Sequence, residues 1–105
     1  ERALATTGEA AWYGNARSTA QQIIDRLARS EGQKFKRVGP FTIGYHPKDV
    51  DAFATRLSGY FQNGKPLGIE QVRTVVFRSK KGGYSEQQVD MLLDTVIDVM
   101  LAVRS

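Results

Sequence analysis

The sequence predicts a small, mainly α-helical domain in which two loop-helix repeats follow an N-terminal helix. A Gly-Tyr pair opens two similar stretches, at 44–51 and 83–90, and Val-Asp closes both. Apolar residues recur at three- and four-residue steps around these stretches, as on the buried face of a helix. A chain of 105 residues has room for one core. Repeated units of this kind usually bury their apolar faces against each other.

The composition is that of a soluble globular domain. The chain is 41% hydrophobic and 25% charged, and its apolar runs are too short to span a bilayer. Its lack of Cys excludes disulfides, thiol catalysis and thiolate metal sites. A net charge of +4 permits contact with polyanions but is common on ordinary surfaces. Because the chain starts at Glu1 rather than Met, we expect a piece of a longer protein, with any targeting or anchoring segment elsewhere.

The N-terminal segment, residues 1–33, is expected to be helical but broken before Asn15, where Gly8 and Gly14 weaken it. Gly32 follows the last periodic residue and is the expected left-handed terminator. The apolar stripe comprises Ala16, Ala20, Ile23, Ile24, Leu27 and Ala28.

The first repeat, residues 34–65, begins with a loop, because Gly39-Pro40 cannot lie inside a helix. Its helix is expected at about 47–61, with His46 as N-cap, Pro47 in the first position and Asp49 near the positive end of the helix dipole. The buried stripe is Val50, Phe53, Leu57 and Phe61, and turn residues at 62–66 end the helix.

The second repeat, residues 66–105, is expected to contain a short helix through Ile69, Val72 and Val76, then a flexible basic loop at 78–83. Ser85 and Gln88 form a capping-box pattern that starts the last helix, at about 86–103. Its heptad spacing, typical of a coiled coil, predicts a self-association seam made of Val89, Leu92, Val96, Val99 and Val103.

Residues that could carry chemistry are few. His46 lacks companions for a metal site, so we interpret it as a helix cap. Asp51 and Asp90 occupy equivalent positions and could act as an acid-base pair, but compensation of the helix dipole is the favoured role. No phosphate loop, nucleophile elbow or zinc signature is present. We therefore expect no enzymatic activity, no cofactor and no metal.

Two basic clusters precede the Gly-Tyr pairs and are candidate surface-binding residues: Lys34, Lys36 and Arg37 in the first repeat, and Arg78, Lys80 and Lys81 in the second. With Phe35 and Phe77 they could contact nucleic acid or an anionic membrane. We interpret both Phe residues as pegs that hold the loops on the core, which leaves the lysines for weak electrostatic contacts.

The repeat resembles the N-terminal domain of DivIVA, a bacterial cell-division and polar-growth scaffold. The motif residues that carry the resemblance are Gly44, Tyr45, Val50, Asp51, Gly83, Tyr84, Val89 and Asp90. The second copy matches best and includes Phe77, whose place Val38 takes in the first. Residues 1 to about 33 have no counterpart. Because DivIVA has one such domain before a long coiled coil, the chain looks like a DivIVA-domain repeat protein.

The resemblance implies a non-enzymatic, cytoplasmic scaffold of Gram-positive-type bacteria that binds protein partners or itself. The family's membrane-touching tip is an exposed aromatic followed by Arg, directly before Gly-Tyr. Those positions hold Thr42-Ile43 and Lys81-Gly82 here, with Phe41 shifted by one. Membrane contact therefore stays open, or belongs to regions outside this piece, and nucleic acid is not an expected partner. The alternative function is an adaptor that binds an anionic surface, either lipid or nucleic acid, through the basic loops.

The duplication also predicts how the chain pairs. In the family, two chains pair in parallel to bury their helix seams and crossed loops. Two copies in one chain could pair across a pseudo-two-fold axis instead. We expect the helices at 47–61 and 86–103 to pack together, with the N-terminal helix over the remaining face.

Overall fold

The mainly α-helical class is confirmed. The computed structural model describes residues 18–104, and side chains through residue 102. The predicted segment before residue 18 and the side chain of Val103 lie outside this range. The elements are α1 (18–27), β1 (Ile43–Tyr45), α2 (Pro47–Asn63), α3 (Ile69–Arg73), β2 (Ser79–Lys81) and α4 (Glu86–Arg104).

Helix α2 begins at the predicted residue and ends at Asn63, within the predicted turn residues 62–66. His46 is the N-cap, and its Nδ1 accepts a hydrogen bond from the backbone N–H of Lys48 at 3.2 Å. Pro47 follows in the first helical position, where its missing N–H costs no helical hydrogen bond. Gly64 ends the helix with a left-handed backbone, at φ 65°. These local signals start the helix directly after the Gly-Tyr pair at the end of β1.

Two predicted helix ends are wrong. Helix α1 stops at residue 27, well before Gly32, although Gly32 does have a positive φ of 77°. The side chain of Lys34 donates to the carbonyls of Leu27, at 2.7 Å, and of Arg29, so a lysine satisfies the end of α1. Helix α3 ends at Arg73 with Thr74 as its C-cap, so Val76 lies outside the predicted short helix.

The two loops were expected to lack regular structure, yet each contributes a short strand. Strands β1 and β2 pair antiparallel, with Ile43 opposite Lys81 and Tyr45 opposite Ser79. Each strand comes from a different repeat, so its hydrogen-bonding partner lies far away in the sequence. The resulting ribbon fixes the position of both Gly-Tyr pairs.

The predicted coiled-coil seam is part of the core of a single chain. Its described members, Val89, Leu92, Val96 and Val99, are buried in one cluster with residues of α1 and α2. Helix α3 packs directly against α4, and α2 and α4 both contribute buried side chains to this shared cluster. These four residues are therefore not exposed for contact with a second chain.

Candidate interaction surface

The two repeats exchange one side-chain hydrogen bond in each direction. The Tyr45 hydroxyl donates to Asp90 Oδ1 at 2.8 Å, and the Tyr84 hydroxyl donates to Asp51 Oδ1 at 2.7 Å. Each tyrosine thus pairs with the aspartate of the other repeat. Reciprocal contacts of this kind are what a two-fold relation between two copies produces.

The backbones of the same two tyrosines are also bonded to each other. The Tyr45 N–H donates to the Tyr84 carbonyl at 3.0 Å, and the Tyr84 N–H donates to the Tyr45 carbonyl at 2.9 Å. A Cβ at Gly44 would lie 2.2 Å from the Tyr84 oxygen, and a Cβ at Gly83 would lie 2.3 Å from the Tyr45 oxygen. The close approach of the repeats therefore requires glycine before each tyrosine.

The structure corrects the alignment of the loops. The Phe35 ring packs on Tyr84 with centroids 5.3 Å apart, and the Phe77 ring packs on Tyr45 at 5.2 Å. Phe35, and not Val38, is therefore the structural equivalent of Phe77. Phe35 precedes its Gly-Tyr pair by nine residues and Phe77 by six, so the first loop is three residues longer. Both Phe residues pack inward, as the peg interpretation predicts.

The residue after each Phe ties its loop to the start of the other repeat's helix. The Lys36 N–H donates to Gln88 Oε1 at 2.9 Å, and the Arg78 N–H donates to Asp49 Oδ2 at 2.9 Å. Asp49 and Gln88 both lie in the third position of their helices. We call the tyrosine-aspartate pairs and these two loop ties the reciprocal clasp.

The predicted capping box at the start of α4 is only half formed. Ser85 Oγ accepts a long hydrogen bond, at 3.4 Å, from the backbone N–H of Gln88. The Gln88 side chain does not return to the Ser85 N–H, because it binds Lys36 instead. The Ser85 N–H donates to the Lys36 carbonyl at 2.8 Å. A local capping signal is thus partly used to join the repeats.

The contacts of the clasp shift the pKa of Tyr45, Tyr84 and Asp49. Burial first, and then the hydrogen bond to aspartate, raises the pKa of both Tyr45 and Tyr84 to about 12. Hydrogen bonds from the side chain and backbone of Arg78 hold the pKa of Asp49 well below its usual range. The tyrosines therefore stay neutral donors and Asp49 a charged acceptor at neutral pH.

Two tight turns project side by side at the end of the β-ribbon. One closes with a hydrogen bond from Thr42 N–H to the Gly39 carbonyl, and the other from Gly83 N–H to the Lys80 carbonyl. Gly82 has the positive φ, 71°, that the second turn requires in its third position, and its N–H donates to the Thr42 carbonyl at 2.9 Å. The turns therefore support each other.

Apolar and basic side chains are exposed on these turns. Phe41 is 88% exposed and Ile43 is 55% exposed. Lys80 and Lys81 are exposed on the neighbouring strand, where Lys81 lies opposite Ile43. We call these four residues the turn tip. The sequence had singled out the two lysines but had not identified Phe41 and Ile43 as exposed.

The other predicted basic residues have different environments. Lys34 is a correction, because it is only 7% exposed and its ammonium group binds carbonyls at the end of α1. Arg78 is exposed but pairs with Asp49 at 2.8 Å. Arg37 Nε donates to the Gly82 carbonyl at 2.6 Å. Lys36 is exposed, so with Lys80 and Lys81 it keeps an accessible side chain.

The tyrosine-aspartate exchange was missed by the sequence analysis, although a signal was present. Tyr and Asp recur at the same spacing in both copies. If the copies are related by a two-fold axis, a contact from the Tyr of one copy to the Asp of the other implies the reverse contact as well. Within residues 18–104, no group of three or more His, Asp or Glu residues could hold a metal ion. None of the helices in that range combines the length and apolarity needed to cross a membrane.

Neither family models, nor curated proteins, nor solved structures give a match to this chain.

Proposed function

We propose that this domain is a non-enzymatic scaffold or interaction module of the DivIVA type, acting in bacterial cell division or polar growth. The reciprocal clasp carries the proposal. In the family that the sequence resembles, paired chains cross their loops. Here the two repeats of one chain exchange hydrogen bonds through Tyr45 and Tyr84. The clasp gives the turn tip a fixed support from both repeats, which suits a surface that binds a partner without changing shape.

A fluorescent fusion of the chain in a rod-shaped Gram-positive bacterium tests this function. We expect enrichment at division sites or poles. The variant Phe41→Ser should reduce that enrichment without unfolding the domain, because Phe41 is almost fully exposed. Gly39→Ala, in the same loop, is the matched control, since its Cβ would meet nothing closer than 3.7 Å. A uniform distribution of an intact, folded fusion would contradict the proposal.

The second candidate function, an adaptor for an anionic surface, is favoured by the turn tip. Its two lysines can each contribute about 1 kcal/mol next to anionic lipid. Phe41 and Ile43 lie on the same tip and can bury apolar area in the headgroup region. Exposed aromatic, aliphatic and basic side chains on one tip suit a lipid surface better than nucleic acid bases.

Co-sedimentation with vesicles tests the adaptor function. We expect binding to phosphatidylcholine vesicles that contain phosphatidylglycerol, weaker binding at high salt, and little binding to phosphatidylcholine alone. The double variant Lys80→Gln/Lys81→Gln should lower the partition coefficient about tenfold or more. Lys48→Gln/Lys65→Gln removes two exposed lysines elsewhere and is the charge-matched control. Equal loss in both double variants, or tighter binding to single-stranded DNA, would reject the lipid adaptor.

A further inference from the structure

A groove of about 780 Å³ lies between α3, the segment that follows it, and α4. Val75, Leu93 and Ile97 line it and are half-buried, so part of their apolar surface stays accessible. Val76, also in its lining, is 88% exposed. The groove does not include the turn tip, so it is a separate surface of the domain.

One wall of the groove is acidic. Asp90, Asp94 and Asp98 follow each other at four-residue steps on α4, which places them on one face with about 6 Å between successive positions along the axis. Within the described part of the chain, Asp94 and Asp98 form no ion pair. Arg73, which also lines the groove, forms a salt bridge with Glu70 at 3.0 Å. This row is negative in a chain whose net charge is +4.

We infer that the groove binds an amphipathic helix of a partner protein, with apolar side chains on one face and Lys or Arg beside them. The accessible apolar floor matches the apolar face of such a helix, which is the usual way that a helix docks in a groove. The row of aspartates on α4 matches basic residues spaced by three or four positions on the partner. Charge complementarity thus selects a basic helix over an acidic one.

The charge of the whole domain makes this inference specific. A chain of net charge +4 repels a cationic peptide at long range, so binding must come from a local negative site. The exposed basic side chains of the turn tip lie on a strand and turns, not on a helix. A helix from another protein therefore fits the groove better than the tip of a second copy.

Fluorescence anisotropy with a labelled model peptide tests the inference on the full chain. The probe is a helical peptide with leucines on one face and lysines on the other. The comparison peptides replace its lysines by glutamates, or keep its composition in an order that forms no apolar face. We expect saturable binding of the first peptide, weaker at high salt, and at least tenfold weaker binding of the other two.

Variants locate the binding on the groove. Asp94→Asn/Asp98→Asn should weaken binding of the leucine-lysine peptide about fivefold or more, because two charge pairs are lost. Asp25→Asn/Glu31→Gln removes two carboxylates elsewhere on the surface and should leave it nearly unchanged. Val76→Ser should weaken binding about threefold through lost apolar contact. All four aspartate and glutamate positions are exposed, so the fold should be retained.

The outcomes separate this inference from the proposed function. Phe41→Ser should not change peptide binding, and Val76→Ser should not change vesicle binding, since each residue lies on only one of the two surfaces. Equal binding of the glutamate peptide, or equal loss in both carboxylate double variants, would overturn the inference. Self-association that Asp94→Asn/Asp98→Asn abolishes would instead assign the groove to a second copy and would also overturn it.

Discussion

The two glycines of the Gly-Tyr pairs allow the backbones of the repeats to touch. Replacing Gly44 or Gly83 with Ala would place a Cβ 2.2 or 2.3 Å from a backbone oxygen of the other repeat. Backbone atoms held by the clasp cannot move aside as a flexible side chain would, and the paired hydrogen bonds between Tyr45 and Tyr84 would break with them. A methyl group is therefore enough to separate the repeats.

We expect Gly44→Ala and Gly83→Ala each to lower the free energy of unfolding by about 3 kcal/mol or more. Urea denaturation followed by circular dichroism measures the change. Gly39→Ala serves as control and should stay within about 0.5 kcal/mol of the parent, because its Cβ has ordinary contacts only. Small effects at Gly44 and Gly83 would mean that the repeats are not in contact.

The tyrosines predict how stability depends on alkaline pH. Their pKa is raised to about 12 in the folded chain, against about 10 in the unfolded chain. A raised folded pKa means that the stabilisation is complete below pH 10 and is lost as the pH rises through 12. Urea unfolding between pH 8 and 12 should therefore show a decline that is smaller in the double variant Tyr45→Phe/Tyr84→Phe. An unchanged alkaline decline in that variant would refute this origin.

At neutral pH, Tyr84→Phe removes the hydroxyl of the buried half of the clasp. Asp51, only 8% exposed, would lose the tyrosine hydroxyl that donates to its Oδ1 at 2.7 Å, and the Lys34 N–H would lose the same hydroxyl as its acceptor at 3.3 Å. A buried acceptor without its donor costs about 1–3 kcal/mol. Tyr45→Phe is the matched control and should cost less, because its partner Asp90 is exposed to water. Urea denaturation measures both variants. An equal loss of unfolding free energy in Tyr84→Phe and Tyr45→Phe would argue against this difference in burial.

At the scale of elements, the sequence predicts the start of α2 correctly but not the features that depend on partners far away in the chain. The start of α2 depends on His46 and Pro47, residues next to each other in the sequence, so capping rules were sufficient. The strands β1 and β2 exist only because each meets the other, and three residues carry too little pattern to predict. Aligning the two repeats at a constant offset places Val38 opposite Phe77. It therefore hides the three extra residues between Phe35 and Gly44.

The candidate surface was predicted unevenly for the same reason. The charge of Lys80 and Lys81 is evident from the sequence, but exposure depends on how the loop folds. Lys34 has the same side chain and is buried, because the carbonyls at the end of α1 lie within its reach. Phe41 looks like Phe35 in the sequence, yet it lies in a turn stabilised by Pro40 and is exposed.

The heptad residues of α4 give a prediction at the element scale. Val96 is fully buried, so Val96→Asp would place a carboxylate in the core without a partner. We expect the domain to unfold, with a loss of about 4 kcal/mol or more. Met91→Asp, on the same helix but 61% exposed, should cost far less and controls for helix propensity. Thermal unfolding followed by circular dichroism gives the melting temperatures of Val96→Asp and Met91→Asp. Similar values would show that Val96 is not in the core.

At the scale of the whole molecule, the clasp joins two halves that would otherwise have to meet by diffusion. Both repeats belong to one chain, so their effective concentration is fixed by the short connection at 64–68 rather than by the amount of protein. The described members of the heptad seam are also in the interior. A second chain is therefore not needed to complete the core.

We expect the isolated domain to be a monomer whose unfolding midpoint does not depend on protein concentration, because pairing of the repeats is intramolecular. Sedimentation equilibrium across a wide concentration range gives the mass, and thermal unfolding across the same range gives the midpoint. Gly44→Ala is the informative comparison: if it opens the clasp while leaving the helices intact, the exposed halves should pair between chains and make the midpoint rise with concentration. An obligate dimer of the parent chain that unfolds on dilution would contradict intramolecular pairing.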